Sequence, residues 1–226
     1  MLSFSPAAAA KQLAPLRVLS NTEIAADLFL LRFERNDRSF EPGQFLAVGL
    51  PRETHRREYS IYSGVNDDFF EILFRRMPDG YLTMRLAELR PGDAVIAEGP
   101  EGSFTLPDSP EHLLLVATGT GISPFHCYAR SYPDLSFRLL HGVRTVGERA
   151  DPAEYGGSYV ACVSREMGGE YHGRVTSYLK EELAAHPLDP TTHCFLCGNC
   201  DMIYEVYALL HHYGVPLDRL HTEVYF

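Results

Sequence analysis

The chain is 226 residues long, with 45% hydrophobic and 22% charged residues and a formal net charge of −10. Its length accommodates one large domain or two small ones, and its composition is that of a folded globular chain. The acidic balance argues against nucleic acid as a partner, and no apolar run approaches the roughly 20 residues that cross a membrane as a helix.

Residues 1–12 carry four alanines and an early Pro6 but no basic n-region, which predicts a flexible leader and not a signal peptide. Segments rich in apolar and β-forming residues follow at 16–20, 28–33 and 45–50, separated by the turn signals Asn21-Thr22, Asn36-Asp37 and Pro42-Gly43. Strands at 57–63 and 69–76 flank Gly64-Val65-Asn66-Asp67-Asp68, a hairpin-like connection. A short helix over 83–89 leads through Arg90-Pro91-Gly92-Asp93 into a strand at 94–98. Six strands and one helix in this stretch predict an antiparallel β-barrel over 13–107, closed by Phe104 and Leu106.

Pro107-Asp108-Ser109-Pro110 marks the boundary of a second domain, 108–226. There the continuous apolar run 113–117 has the character of a central parallel strand covered on both faces. Gly119-Thr120-Gly121 follows at once, and Ile122-Ser123-Pro124 opens a helix through Arg130. Strands at 137–142, 159–164, 192–196 and 221–224 alternate with helices at 174–185 and 201–213, the latter ended by Gly214. Five strands with crossover helices predict a doubly wound parallel sheet, so the fold class is β plus α/β in two domains.

Of the five cysteines, Cys194, Cys197 and Cys200 spell Cys-x-x-Cys-x-x-Cys. An iron–sulfur cluster usually takes four thiolates on a tight loop. No fourth cysteine follows, and Phe195-Leu196 reads as a buried strand in which positions three apart face opposite sides. No metal site is expected. An odd number of cysteines without an export signal predicts reduced thiols in the cytoplasm.

The residues that carry chemistry gather in a few stretches. In Arg57-Glu58-Tyr59-Ser60-Ile61-Tyr62, strand alternation places Arg57, Tyr59 and Ile61 on one face and Glu58, Ser60 and Tyr62 on the other. A planar ligand with a phosphate tail suits this surface: a ring to stack on, a guanidinium fork for the anion, and the Ser60 hydroxyl for a polar edge. Gly80-Tyr81-Leu82-Thr83 starts a helix whose unpaired N–H groups hold phosphate, assisted by the Thr83 hydroxyl. Gly119 and Gly121 let backbone approach a diphosphate at a strand's carboxyl end. Ser164, Arg165 and Arg174 are a hydroxyl-and-arginine set that fits a 2′-phosphate, with Glu166 pointing away if its strand continues. Cys197-Gly198-Asn199 ends a strand, with Asp201 a possible helix cap, and Glu223-Val224-Tyr225-Phe226 ends the chain with a carboxylate and two rings. Taken singly, each stretch also reads as an ordinary strand, a packing turn or a solvated rim.

Their joint order is more telling. Arg-x-Tyr-Ser, Gly-x-x-Thr-x-x-Leu, Gly-Thr-Gly-Ile-Ser-Pro, His-Gly-Val-Arg, Ser-Arg-Glu, Cys-Gly and a terminal Glu-Val-Tyr resemble the ferredoxin/flavodoxin–NADP reductase family over 16–226. The resemblance implies a flavin-binding β-barrel followed by an NADP-binding domain. It implies hydride exchange between NADPH and bound FAD, and single-electron exchange with ferredoxin or flavodoxin, a transient acidic partner. By the same resemblance Arg57, Glu58, Tyr59 and Ser60 hold the flavin, and Gly80, Tyr81, Leu82 and Thr83 its diphosphate. Gly119, Thr120 and Gly121 hold the diphosphate of NADP(H), and Ser164, Arg165 and Arg174 its 2′-phosphate. Ser60, Cys197 and Glu223 surround the nicotinamide, and Tyr225 or Phe226 covers the flavin. Plant-type members end at the tyrosine, whereas this chain runs one residue further. Arg52, Arg56, Arg75 and Arg76 suit an acidic partner, and a solvated face accounts for them equally well. Three rival readings remain: a reductase feeding an oxygenase, a non-catalytic electron-transfer subunit with an iron–sulfur cluster, which the incomplete cysteine set opposes, and a barrel-plus-Rossmann protein without cofactor.

Overall fold

The computed structural model describes residues 14–108 and 110–225; the expected leader, 1–12, and Phe226 lie outside them. In the first half, β1 (Leu16–Ala25), β2 (Leu28–Glu34), β3 (Phe45–Gly49), β4 (Arg56–Ser60), β5 (Phe69–Arg75) and β6 (Ala94–Glu101) form one antiparallel sheet in the order β4-β3-β6-β1-β2-β5. Alternation drives the closure. Phe29, Leu31 and Phe33 of β2 turn to an interior shared with Leu46, Val48, Phe70 and Ile72. Helix α1 (Tyr81–Glu88) plugs that interior with Leu82 and Leu86. It begins two residues before the expected Thr83.

The expected β4–β5 hairpin does not form. These two strands are the outer members of the sheet, and they meet after β4 has ended, where Tyr62 N–H donates to Glu71 O at 2.8 Å. The connection 64–68 therefore closes the barrel instead of turning a ladder. Phe104 and Leu106 do not close it either. Neither lies in a strand, and both pack in the core of the second half, Phe104 against Phe195 at a centroid distance of 5.2 Å.

That second half holds a parallel sheet of β7 (Leu113–Thr118), β8 (Arg138–Val143), β9 (Tyr159–Val163), β10 (Tyr171–His172), β11 (His193–Asn199) and β12 (Leu220–Tyr225). Its order is β10-β9-β8-β7-β11-β12, one strand more than expected. The extra β10 is two residues long and pairs with β9 alone, too short to show a period. Helix α2 (Ser123–Ser131) covers one face through Phe125 and Tyr128. Helices α3 (Val175–Ala185) and α4 (Cys200–His212) cover the other through Leu179, Leu183, Val206 and Leu210. The chain winds outward from β7 to β10 and then crosses back to β11, which places the topological switch point between β7 and β11.

Strand period also disposes of the cysteine motif. Cys194 belongs to the core under α3 and α4, and Cys197 to the core on the opposite face. Asn199, not Asp201, caps α4: its Oδ1 accepts from Asp201 N at 3.0 Å and Met202 N at 3.3 Å. The cap sits two residues early because β11 runs into the helix without a loop.

The two halves are bonded to each other along α2. Arg130 forms a forked ion pair with Asp67, at 2.6 and 2.9 Å, and the His126 ring stacks on Tyr62 at 3.7 Å. Tyr128 Oη donates to Phe104 O. Among the described residues no helix is long and apolar enough to cross a membrane.

Candidate active site

Between the halves lies a cleft of about 1680 Å³, onto which the ends of β4, β5, β7, β9 and β12 open. A pocket for one small ligand is typically about 300–1,000 Å³, so this cleft admits a larger occupant or more than one.

On the barrel side, strand alternation holds as the sequence predicts. Tyr59 and Ile61 pack toward the barrel core, whereas Tyr62 joins the opposite cluster. Arg57 and Glu58 are exposed, Tyr59 is half-buried and Ser60 is buried. The Tyr59 ring meets Phe74 edge-on, and burial pushes its hydroxyl up to about 12. Its Oη is buried without a hydrogen-bond partner among the described residues. Helix α1 has Gly80 as its N-cap, no side-chain cap and no acidic residue in its first turn. Its leading N–H groups are therefore electrostatically open to an anion. Thr83 Oγ1 accepts from Met77 N at 3.1 Å, the Leu82 side chain is buried, and Tyr81 turns to Arg85 and Glu53.

On the other side, Gly119 adopts a left-handed φ of +54°, and a Cβ placed there would meet nothing within 4 Å. Gly121 is different. A Cβ there would lie 2.4 Å from Cys197 O, so packing of the turn on β11 requires this glycine and it does not line the cleft. Thr118 Oγ1 accepts from Asn199 N at 2.9 Å and ties the two strand ends at the switch point.

Ser164, Arg165 and Arg174 line one corner of the cleft, joined by Arg144, the arginine of the His-Gly-Val-Arg motif, to which the sequence alone gives no role. Arg165 N–H donates to Arg144 O at 2.9 Å, which sets the two arginines side by side. Strand β9 ends at Val163, before Glu166, and Glu166 Oε1 accepts from Val146 N at 2.5 Å. Glu148 accepts from Arg144 N at 3.1 Å and pairs with Arg75 at 3.0 Å. Both carboxylates of this corner are thus engaged. Among the described residues, the guanidinium groups of Arg57, Arg144, Arg165 and Arg174 have no carboxylate within 4.0 Å. The arginines read as suiting either an acidic partner or a solvated face fare otherwise. Arg56, Arg75 and Arg76 are paired with Glu98, Glu148 and Asp27, which leaves Arg52.

Where the halves meet, four of the expected residues converge. Glu223 and Tyr225 are two apart on β12 and share a face, and Cys197 is the register partner of Glu223. Tyr225 Oη donates to Ser60 Oγ at 2.5 Å, and Ser60 Oγ donates to Glu223 Oε1 at 2.9 Å. With Glu223 ionised the carboxylate only accepts, and the serine's single proton then sets the direction of this chain, from tyrosine through serine to carboxylate. Burial raises the Glu223 carboxyl above its ordinary range, against the hydrogen bond from Ser60 and helped by the charge of Glu58. Burial holds the Cys197 thiol well above its ordinary value, so it stays a neutral thiol.

A closed barrel and a doubly wound sheet sharing one arginine-lined, anion-receiving cleft define a two-domain, nucleotide-dependent oxidoreductase. Residues 15–106 match the family model described as an oxidoreductase FAD-binding domain. The chain is 31% identical to a ferredoxin–NADP reductase of Pseudomonas aeruginosa, over 89% of this chain and 90% of the relative. It is 28% identical to the toluate 1,2-dioxygenase electron transfer component of Pseudomonas putida, over 92% of this chain and 65% of that protein. A ferredoxin NADP⁺ reductase from Neisseria gonorrhoeae, solved with bound FAD and NADP, superposes with a TM-score of 0.84 at 20% identity, covering 96% of this chain and all of the other. The chain belongs to the ferredoxin–NADP reductase family, and its cofactors are FAD and NADP(H). The site fits both groups: an orphaned Tyr59 hydroxyl and an open helix start on the barrel side, an open Gly119 turn and unpaired arginines on the other.

Proposed function

We propose that the chain passes electrons between NADPH and a ferredoxin or flavodoxin, with Ser60, Cys197, Glu223 and Tyr225 as the groups around the reacting atoms. The hydrogen-bonded run Tyr225–Ser60–Glu223 carries this reading, because it joins the end of the flavin strand to the end of the nucleotide domain. Bound FAD supplies the conversion between a two-electron hydride step and single-electron steps. Tyr59 offers its ring and free hydroxyl to the flavin, Arg57 its unpaired guanidinium, and the start of α1 its N–H groups to the diphosphate. Gly119 and Thr120 present backbone to the NADP(H) diphosphate. Arg165 and Arg174, with Ser164 and Arg144, receive the 2′-phosphate through charge-assisted hydrogen bonds. Glu223 holds a proton more readily than an exposed carboxylate, and it lines the cleft beside Ser60, whose Oγ donates to it. In this reading the Tyr225 ring covers the flavin face that nicotinamide must reach, so its hydrogen bond to Ser60 breaks when nicotinamide enters. The five cysteines, all without disulfides, suit a reducing cytoplasm.

A second reading keeps the same site and changes the acceptor to an oxygenase component; the Pseudomonas putida relative favours it. Steady-state reduction of purified ferredoxin, flavodoxin and an oxygenase-type ferredoxin by NADPH separates the two. Fast reduction of the oxygenase partner alone supports the second, and no reduction of any of the three sinks both.

A further inference from the structure

His141 lies on β8 and is completely buried, with no direct place in the cleft. Its Nε2 is 2.9 Å from Gly119 O and its Nδ1 is 2.9 Å from the Tyr159 hydroxyl on β9. A carbonyl oxygen only accepts, so Nε2 carries the ring proton and donates it. Nδ1 is then the acceptor for Tyr159 O–H. Both ring nitrogens are satisfied, and the two partners together dictate one neutral tautomer. Burial reinforces this by holding the imidazole at about 4, far from taking a second proton near neutrality.

The bond falls on a particular peptide unit. Gly119 is the first residue after β7, in the left-handed region, where the chain reverses into the turn Gly119–Ile122 and then α2. Nothing within 4 Å of its Cβ position restrains it from the cleft side. A glycine so placed has wide conformational freedom, and a fixed partner on its carbonyl is what narrows it. The peptide unit is planar and trans, so pinning Gly119 C=O toward His141 aims the Thr120 N–H of the same unit the opposite way. Thr120 lines the cleft, and Gly121 does not. We propose that His141 is a positioning residue: through Gly119 O it orients the Thr120 N–H toward the nucleotide diphosphate, without touching the ligand. The inference rests on the NADP(H) reading of this turn.

The test uses flavin-loaded protein and two probes, NADP⁺ and 2′-AMP, which keeps the 2′-phosphate and lacks the diphosphate. In His141→Leu the donor is gone, and NADP⁺ binding by calorimetry should weaken about tenfold, one good hydrogen bond's worth, while 2′-AMP binding stays within about twofold. In steady state the loss should appear in KM for NADPH and not in kcat. His141→Gln returns an N–H near the lost Nε2 and should recover most of the affinity. Equal NADP⁺ affinity in wild type and His141→Leu would overturn the inference. So would equal weakening of both probes, or no recovery in His141→Gln whose flavin spectrum is intact. A wild-type protein that binds neither probe would remove the NADP(H) reading itself, and this inference with it.

Discussion

The same buried imidazole makes a quantitative prediction about acid. In the unfolded chain His141 takes its proton near 6.5, and in the folded protein at about 4. Each unit between these values is worth about 1.4 kcal/mol of differential stability, so the ring accounts for about 3 kcal/mol. The sign follows from which state binds more protons. Between these values the unfolded chain is protonated at this ring and the folded one is not. The contribution is therefore complete above pH 6.5 and is lost as the pH falls toward 4. Urea unfolding of wild type and His141→Gln, both saturated with FAD, at pH 7.5 and pH 4 measures it. Wild type should lose about 3 kcal/mol more than the variant between the two conditions, with unchanged m-values. Other titrating groups, including His126, which burial also holds below its ordinary value, occur in both proteins and cancel. Parallel losses in the two proteins would refute the reasoning, since His141 would then be protonated or solvated in the folded state.

Three further outcomes follow from the cleft. Arg165→Ala or Arg174→Ala should raise KM for NADPH roughly ten- to a hundredfold and leave NADH nearly unaffected, because a charged hydrogen bond is worth about 1.5–3 kcal/mol; equal losses with both nucleotides would move these arginines off the 2′-phosphate. Arg57→Ala combined with Tyr59→Ala should release the flavin, read as the visible absorbance of the purified protein, and retained colour would remove this strand from the flavin site. Tyr225→Ser should tighten NADP⁺ binding roughly two- to tenfold and slow turnover by product retention, on the scale of one aromatic stacking contact; unchanged NADP⁺ inhibition constants would show that the ring does not compete with nicotinamide.

Local period was enough for much of this protein. Alternation sorted Tyr59 and Ile61 from Tyr62 and put Cys194 and Cys197 on opposite faces, because side-chain direction in a strand depends only on neighbours in sequence. The apolar run before Gly119 likewise announced a central parallel strand, since a strand covered on both faces has no polar side to show. Partner choice was not local. Whether 57–63 and 69–76 pair with each other or stand at opposite ends of a sheet is decided by how the barrel encloses its core, and both arrangements have the same alternation. Phe104 looks like any barrel residue until the second core claims it. Arg144 follows the end of a strand like many solvated arginines, and only the β8–β9 register sets it beside Arg165. Ser60 and Glu223 are 163 residues apart, and His141 on β8 and Gly119, just past the end of the adjacent β7, are 22 apart. Their hydrogen bonds, and the neutral state of the buried imidazole, exist only once strand order and domain packing have excluded water from around them. A sequence period records which way each side chain faces, whereas the group it finds there is fixed by the folded chain.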